Sequence, residues 1–169
     1  MKSLDCLFMI FLSIVLILNS GCQKQAIYEI NEKDAKSIVD AIAEIWNEGN
    51  LTLVDKFYTP DYVRRYVDTY EDIVGIDAYK KWISDNRTSL SGFHTSREGE
   101  VMTHSDKIVL RWIAEGNTGG KKVRFMGVSI MRISNGKIAE EWLYFNRESL
   151  LRQRGFTITP PTNLSPEKK

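Results

Sequence analysis

Hydrophobic and polar positions alternate most clearly between residues 123 and 146, on both sides of the dipeptide Asn135-Gly136. Side chains before the dipeptide fall alternately on two faces, as in a strand, and the alternation resumes at Ile138. Asn and Gly tolerate the positive φ angles of a type I′ turn, so this stretch predicts a β-hairpin. Neither face of either strand is purely polar, so we expect a sheet that is covered on both sides.

Apolar residues recur at helical spacing in three segments before the hairpin. The first helix is predicted to begin near the capping residue Asn31 and to end at Gly49. A short second helix is expected over residues 51–58 and a third over residues 75–90. A last, amphipathic helix is predicted over residues 148–154, after the hairpin.

Two further strand-like runs, residues 93–103 and 107–116, predict an antiparallel pair that turns at His104-Ser105-Asp106. The second run is almost continuously apolar, with Arg111 inserted. Trp112 falls on the face opposite to Arg111, and either side chain could point to the interior, because a β-bulge resets the alternation.

The first segment of the chain has the composition of an export signal. Lys2 precedes an apolar run over residues 6–18, which is short for a membrane-spanning helix of about 20 residues. The following Asn19-Ser20-Gly21-Cys22 resembles a bacterial lipobox, which implies that Cys22 is lipidated and becomes the mature N-terminus. The alternative is an uncleaved N-terminal anchor in which Cys22 has no role.

These observations predict four regions in the 169 residues: a signal peptide (1–21), a tether (22–32), one folded domain (33–157) and a disordered, proline-rich tail (158–169). A lipid anchor would place the domain in the bacterial cell envelope, at the outer membrane or the periplasmic face where the host has two membranes.

Composition excludes several classes of function. A net charge of +1 gives no electrostatic footprint for nucleic acid. No His, Cys and carboxylate pattern has the spacing of a metal site, and no cofactor motif is present, so neither a metal nor a cofactor is expected. With Cys6 removed and Cys22 lipidated, the domain has no cysteine for a disulfide or a thiol nucleophile.

Three short motifs carry a family resemblance: Trp46-Asn47-Glu48-Gly49-Asn50, residues 136–142 (GKIAEEW) and residues 150–155 (LLRQRG). They resemble SnoaL-like proteins, the polyketide-cyclase branch of the nuclear-transport-factor-2-like superfamily. The resemblance implies an α+β cone, in which a strongly bent, mostly antiparallel sheet wraps around about three N-terminal helices and encloses a cavity. Family members often dimerise through the sheet, so a homodimer is expected.

In family members with cyclase activity, an Asp four residues after the Trp acts as general acid/base, and this chain has Asn146 there. An amide cannot exchange a proton at neutral pH, so no catalytic residue is assigned. Asn146, Glu140 and His94 are the remaining candidates. Glu140 and Glu141 are adjacent, so on a regular strand they face opposite ways and cannot act as a carboxylate pair.

We expect the ligand pocket to be lined by Arg65, Trp112, Trp142, Tyr144 and Asn146. Many relatives have a His at about the position of Arg65. In this chain Arg65 could instead bind a carboxylate or sulfate, or it could be a solvated surface residue. The first hypothesis is binding of a small hydrophobic or amphipathic molecule without turnover. The others are a cyclase, isomerase or hydrolase that uses different acid/base residues, and a dimeric scaffold.

Overall fold

The computed structural model describes residues 29–66 and 71–159. The predicted signal peptide, the lipidation site Cys22, the tether up to residue 28 and the tail from residue 160 lie outside the described residues. Among the helices of the described part, none is both long enough and apolar enough to cross a membrane.

The chain forms four helices and one seven-stranded sheet, within the described residues. The helices are α1 (Glu32–Glu48), α2 (Thr52–Phe57), α3 (Ile76–Ser89) and α4 (Arg147–Gln153). The strands are β1 (Tyr58–Tyr66), β2 (Ile73–Val74), β3 (Ser91–Arg97), β4 (Met102–His104), β5 (Lys107–Thr118), β6 (Lys121–Ser134) and β7 (Lys137–Phe145).

The strand order is β2-β1-β7-β6-β5-β3, and β4 also pairs with β5. All pairs are antiparallel except β1 with β7, which run parallel. The sheet curves around the N-terminal helices without closing, which confirms the predicted α+β cone.

Local sequence signals explain the ends of the main elements. The side chain of Asn31 accepts a hydrogen bond of 2.9 Å from the backbone N–H of Asp34 and caps α1. Gly49 ends the same helix at φ 76°, a left-handed conformation that suits glycine. Asn135 and Gly136 have φ angles of 51° and 74°, as the predicted hairpin turn requires.

Two features of the sheet differ from the prediction. The expected strand over residues 93–103 is divided into β3 and β4, and the intervening Gly99 has a φ of 76°. Strand β1 was not predicted: Tyr58 begins it directly after α2, although a helix was expected to include this residue. Pro60 lies inside β1, which obscures the strand pattern in the sequence.

The main hydrophobic core lies between α1, α3 and the inner face of the sheet. Its completely buried members include Ile45, Val54, Tyr62, Ile83, Ile108 and Ile138. The helices therefore form the inner layer against which the sheet bends, and the space that they leave unfilled becomes the cavity described next.

Candidate ligand-binding site

A cavity of about 140 Å³ lies between α1, α3 and the inner face of the sheet. Aliphatic and aromatic side chains form most of its wall, including Ile42, Trp46, Trp82, Phe93, Leu110, Trp112, Phe125, Leu143 and Phe145. An engineered apolar cavity of about 150 Å³ can hold a benzene molecule. The cavity is therefore the right size for a single ring or a short branched chain.

A buried ion pair forms part of the cavity wall. Arg64 and Glu141 both line the cavity, and the two residues are only 4% and 5% exposed. Arg64 Nη2 lies 3.6 Å from Glu141 Oε1. The Arg64 guanidinium carbon lies 4.2 Å from the centre of the Trp82 ring, so a cation–π contact also stabilises its charge.

Three buried tyrosines connect to this pair. The hydroxyl of Tyr62 donates a 2.7 Å hydrogen bond to Glu141 Oε2, and Arg64 Nη1 donates to the hydroxyl of Tyr79 at 3.4 Å. The hydroxyls of Tyr79 and Tyr58 are also 3.4 Å apart. The five side chains form one buried polar network, and all of them except Tyr62 line the cavity.

The environment fixes the protonation states in this network. Burial raises the pKa of Tyr58, Tyr62 and Tyr79, and nearby Glu141 raises all three further, so the phenols stay protonated. Burial alone would lower the pKa of Arg64, but attraction to Glu141 and the tyrosines raises it overall. Arg64 is therefore a permanent cation in the cavity wall.

Among the five residues predicted to line the pocket, only Trp112 does so. Its Nε1 donates a 3.1 Å hydrogen bond to Ser129 Oγ, which fixes the indole against the cavity. Strand β7 faces the cavity with Glu141, Leu143 and Phe145. Because side chains alternate along a strand, the predicted pocket residues Trp142 and Tyr144 belong to its opposite face.

Arg65 is also outside the cavity wall, in an ion-pair cluster on the outer face of the sheet. Its Nε donates to Glu140 Oε1, its Nη1 lies 2.8 Å from Asp72 Oδ2, and Arg132 Nε lies 3.2 Å from Glu140 Oε2. Burial by itself would raise the pKa of Glu140, but the hydrogen bonds from Arg65 and Arg132 lower it overall. This catalytic candidate is therefore held as a paired anion away from the cavity.

The other two catalytic candidates also lie away from the cavity wall. Asn146 is exposed, and its Oδ1 accepts a 2.8 Å hydrogen bond from the backbone N–H of Ser149, so it caps α4. His94 is exposed on β3. Sequence reasoning missed all the titratable residues that do line the cavity, namely Tyr58, Arg64, Tyr79, Arg97, Glu141 and Arg154. The doublets Arg64-Arg65 and Glu140-Glu141 were visible, but not which member faced inward.

No group of three or more His, Cys, Asp or Glu side chains in residues 29–66 and 71–159 has an arrangement that could hold a metal ion. The polar groups of the cavity wall are three guanidinium groups, one carboxylate, phenols, aliphatic hydroxyls and one amide.

Comparison with known proteins identifies the family. The model of the SnoaL-like polyketide cyclase family matches residues 36–154. Comparison with curated protein sequences gives no match. Among solved structures, TsrD from Streptomyces laurentii is similar with a TM-score of 0.67 and 20% identity, over 75% of this chain and 98% of that protein.

Two further solved structures share the fold. One is a protein with a ketosteroid isomerase-like fold from Catenulispora acidiphila, in complex with trimethylamine (TM-score 0.63, 17% identity, 73% of this chain and 97% of that one). The other is an LEH-like epoxide hydrolase from M. tuberculosis (TM-score 0.60, 16% identity, 72% and 89%). The family model covers most of the chain and these structures share its architecture, so the chain belongs to the SnoaL-like polyketide cyclase family.

Proposed function

We propose that this protein binds a small hydrophobic or amphipathic molecule in its cone cavity, without the Asp-based acid/base catalysis of its cyclase relatives. The largely apolar cavity, with eight aromatic side chains in its wall, carries the proposal. The cavity volume of about 140 Å³ favours a ligand body of one ring rather than a fused polycyclic skeleton. Asn146, at the family's acid/base position, caps a helix instead.

A cavity-filling variant tests this proposal. Ala43 lines the cavity on the half-buried side of α1, so Ala43→Phe should occupy the ligand's space. Ser37 is exposed on the same helix, so Ser37→Phe adds the same side chain away from the cavity. The full chain in phosphatidylcholine nanodiscs is titrated with phenol, toluene and indole, and the melting temperature is recorded.

We expect at least one probe to raise the melting temperature of the wild type and of Ser37→Phe, because a ligand that binds only the folded state stabilises it. The Ala43→Phe variant should show no such shift. Equal shifts in all three proteins, or no shift in any of them, would contradict binding in the cavity.

We extend the proposal to the location of the protein: a lipid on Cys22 tethers the domain to the bacterial envelope. The apolar run over residues 6–18 followed by Ser20-Gly21-Cys22 supports this. Cells fed an alkyne-bearing palmitate analogue should label the wild type but not Cys22→Ser. An unlabelled wild type in the membrane fraction would instead support an uncleaved anchor.

A second candidate function is catalysis by Glu141, since it is the only carboxylate among the described residues that line the cavity. Its oxygens lie next to Tyr62 and Arg64, so it could remove a proton from a bound ketone, enol or related substrate. Turnover by the wild type that is lost in Glu141→Gln, while ligand still binds, would support an enzyme. Turnover that survives in Glu141→Gln would exclude this role.

The outer face of the sheet is proposed as a homodimer contact. It presents Met126 and Tyr144, which are 49% and 42% exposed, beside the half-buried Val128 and Trp142. Sedimentation velocity should give a dimer for the wild type and a monomer for Met126→Glu. A monomeric wild type at high protein concentration would exclude the contact.

A further inference from the structure

We infer that the ligand is an amphipathic anion whose charged group, of the carboxylate type, is held at the rim of the cavity by Arg97 and Arg154. This inference rests on the proposed binding function and specifies its ligand class. Both arginines line the cavity, and both are exposed, whereas every apolar residue of the wall is buried or half-buried. A ligand that fills the interior with a ring would therefore bring its other end to these two guanidinium groups.

The two arginines approach the rim from separate parts of the fold. Arg97 is the last residue of β3, where it pairs with Trp112 of β5. Arg154 is the C-cap residue of α4. Helix α4 is attached to β6 through Gln153, whose side chain exchanges hydrogen bonds of 2.8 and 2.9 Å with the backbone of Arg124. The rim arginines are thus positioned by a strand end and by an anchored helix end.

Neither rim arginine has an ion-pair partner among the described residues. In contrast, five other solvent-accessible arginines are each paired with a carboxylate, namely Arg65, Arg111, Arg124, Arg132 and Arg152. Arg97 and Arg154 also make no side-chain hydrogen bond within the described part of the chain. Within residues 29–66 and 71–159, two cations therefore remain without a carboxylate partner at the entrance to a largely apolar cavity.

Carboxylates adjacent to these arginines in the chain or the sheet are already engaged. Glu98, next to Arg97, lies 2.7 Å from Arg111. Glu115 of β5 lies 3.2 Å from Lys122 and 3.0 Å from Arg124, and Glu148 of α4 lies 2.8 Å from Arg152. The positive potential at the rim is therefore available to an incoming anion.

A carboxylate suits this rim for geometric reasons. Guanidinium groups donate two parallel hydrogen bonds to a planar carboxylate, and charge-assisted bonds of this kind are stronger than neutral ones. A neutral ligand of the same shape would fill the interior equally well but would leave both rim cations unpaired. The preference for an anion over its neutral analogue is therefore the property that separates this inference from simple apolar binding.

The test compares acids with their amides. Benzoate, phenylacetate, 3-phenylpropanoate and 4-phenylbutanoate place a carboxylate at increasing distance from one ring, and the four amides keep the shape without the charge. Each is titrated calorimetrically into the full chain in phosphatidylcholine nanodiscs, with empty nanodiscs as the blank. The proteins are the wild type, the double variant Arg97→Gln/Arg154→Gln and the control Arg132→Gln, which removes one charge outside the cavity wall and leaves Glu140 paired with Arg65.

We expect at least one acid to bind the wild type about tenfold more tightly than its amide, since exposed ion pairs are individually modest and two act together. The double variant should lose this preference while still binding the amide, and Arg132→Gln should keep it. Raising the salt concentration should weaken binding of the acid but not of the amide.

The outcomes separate the two proposals. Amides that bind as tightly as acids, or a preference for acids that survives in the double variant, would overturn the rim inference and leave the proposed binding function intact. Failure of both series to bind the wild type would contradict the binding function, and the rim inference with it.

Discussion

Arg64 and Glu141 are register partners in the parallel pairing of β1 with β7, and their charged groups lie 3.6 Å apart inside the cone. Their chain neighbours Arg65 and Glu140 form a second ion pair on the outer face of the same two strands. The inner ion pair is therefore buried, whereas the arginine of the outer pair is partly exposed to solvent. Because water screens the outer pair more than the inner pair, loss of the inner pair should lower the free energy of unfolding much more.

The first prediction compares Glu141→Gln with Glu140→Gln. Replacing Glu141 leaves Arg64 as an uncompensated buried charge, which should lower the free energy of unfolding by about 3–5 kcal/mol. Glu140→Gln breaks contacts to arginines that are more than one-third exposed and should cost about 1 kcal/mol or less. Urea denaturation followed by circular dichroism measures both.

A double variant provides the control for this prediction. In Arg64→Met/Glu141→Leu both charges are replaced by apolar groups, so no unpaired charge remains, and the protein should be more stable than Glu141→Gln alone. Equal losses for Glu141→Gln and Glu140→Gln would show that the inner pair is not desolvated as described.

The second prediction concerns pH. The folded-state pKa values of Tyr58, Tyr62 and Tyr79 lie above the unfolded value of about 10. The folded protein therefore binds these protons more tightly than the unfolded chain, and their stabilising effect is complete below about pH 10. It is lost as the pH rises further, by about 1.4 kcal/mol per pH unit for each phenol.

Spectrophotometric titration checks this behaviour. Of the seven tyrosines in the chain, three should stay protonated above pH 10 and ionise together in one cooperative step when the protein unfolds. In Tyr79→Phe this step should shrink to two phenols. Seven phenols that titrate smoothly near pH 10, while the protein remains folded, would contradict the buried network.

The sequence was sufficient to predict the architecture, but it did not identify which side chains of the sheet face the cavity. The Asn135-Gly136 turn, the Asn31 cap and the Gly49 helix end are local signals, and the structure confirms each of them. Which member of a doublet faces the cavity is not a local property. Both faces of the sheet are covered by mixed side chains, so the alternation alone does not identify the inner one.

Strand β1, which carries Arg64, was the most important element that the sequence did not predict. Its register with β7 shifts between Tyr58 and Val63, so even a correct strand assignment would not have fixed whether Arg64 or Arg65 points inward. Trp112 lines the cavity, and Arg111, the alternative that the sequence left open, does not. A shift of one residue moves every side chain of a strand to the other face, and Trp142 and Tyr144 lie on the face of β7 opposite to the cavity.

The third prediction concerns Gly127, which faces Trp112 across the β5–β6 pair. A Cβ atom at Gly127 would lie far inside van der Waals contact of the Trp112 ring and of the Tyr144 carbonyl oxygen. Gly127→Ala should therefore cost about 1–3 kcal/mol and displace the indole from the cavity wall. Urea denaturation and near-ultraviolet circular dichroism, which reports the Trp environment, measure the two effects.

Gly116→Ala is a milder control on β5. A Cβ atom there would lie 3.0 Å from the Leu90 Cβ. Its three nearest atoms all belong to Leu90, and none belongs to Trp112. Its near-ultraviolet spectrum should resemble that of the wild type. Truncation of Trp112 should restore only part of the stability of Gly127→Ala, because the backbone carbonyl of Tyr144 still obstructs the new methyl group. Full restoration of the stability would show that the Tyr144 carbonyl can move away from the new methyl group.

The fourth prediction concerns Asn146, at the family's acid/base position. Asn146→Ala removes the cap of α4 and should lower the free energy of unfolding by about 1 kcal/mol. Asn146→Asp keeps a capping oxygen and adds a negative charge at the helix N-terminus, so its stability should equal or slightly exceed that of the wild type.

The new carboxylate would remain on an exposed residue outside the cavity wall. We therefore expect Asn146→Asp to be folded and inert towards ketone and enol substrates, as judged by denaturation and by product analysis. Turnover by Asn146→Asp that the wild type lacks would mean that position 146 reaches a bound substrate, and the site would then have to extend beyond the cavity to the start of α4.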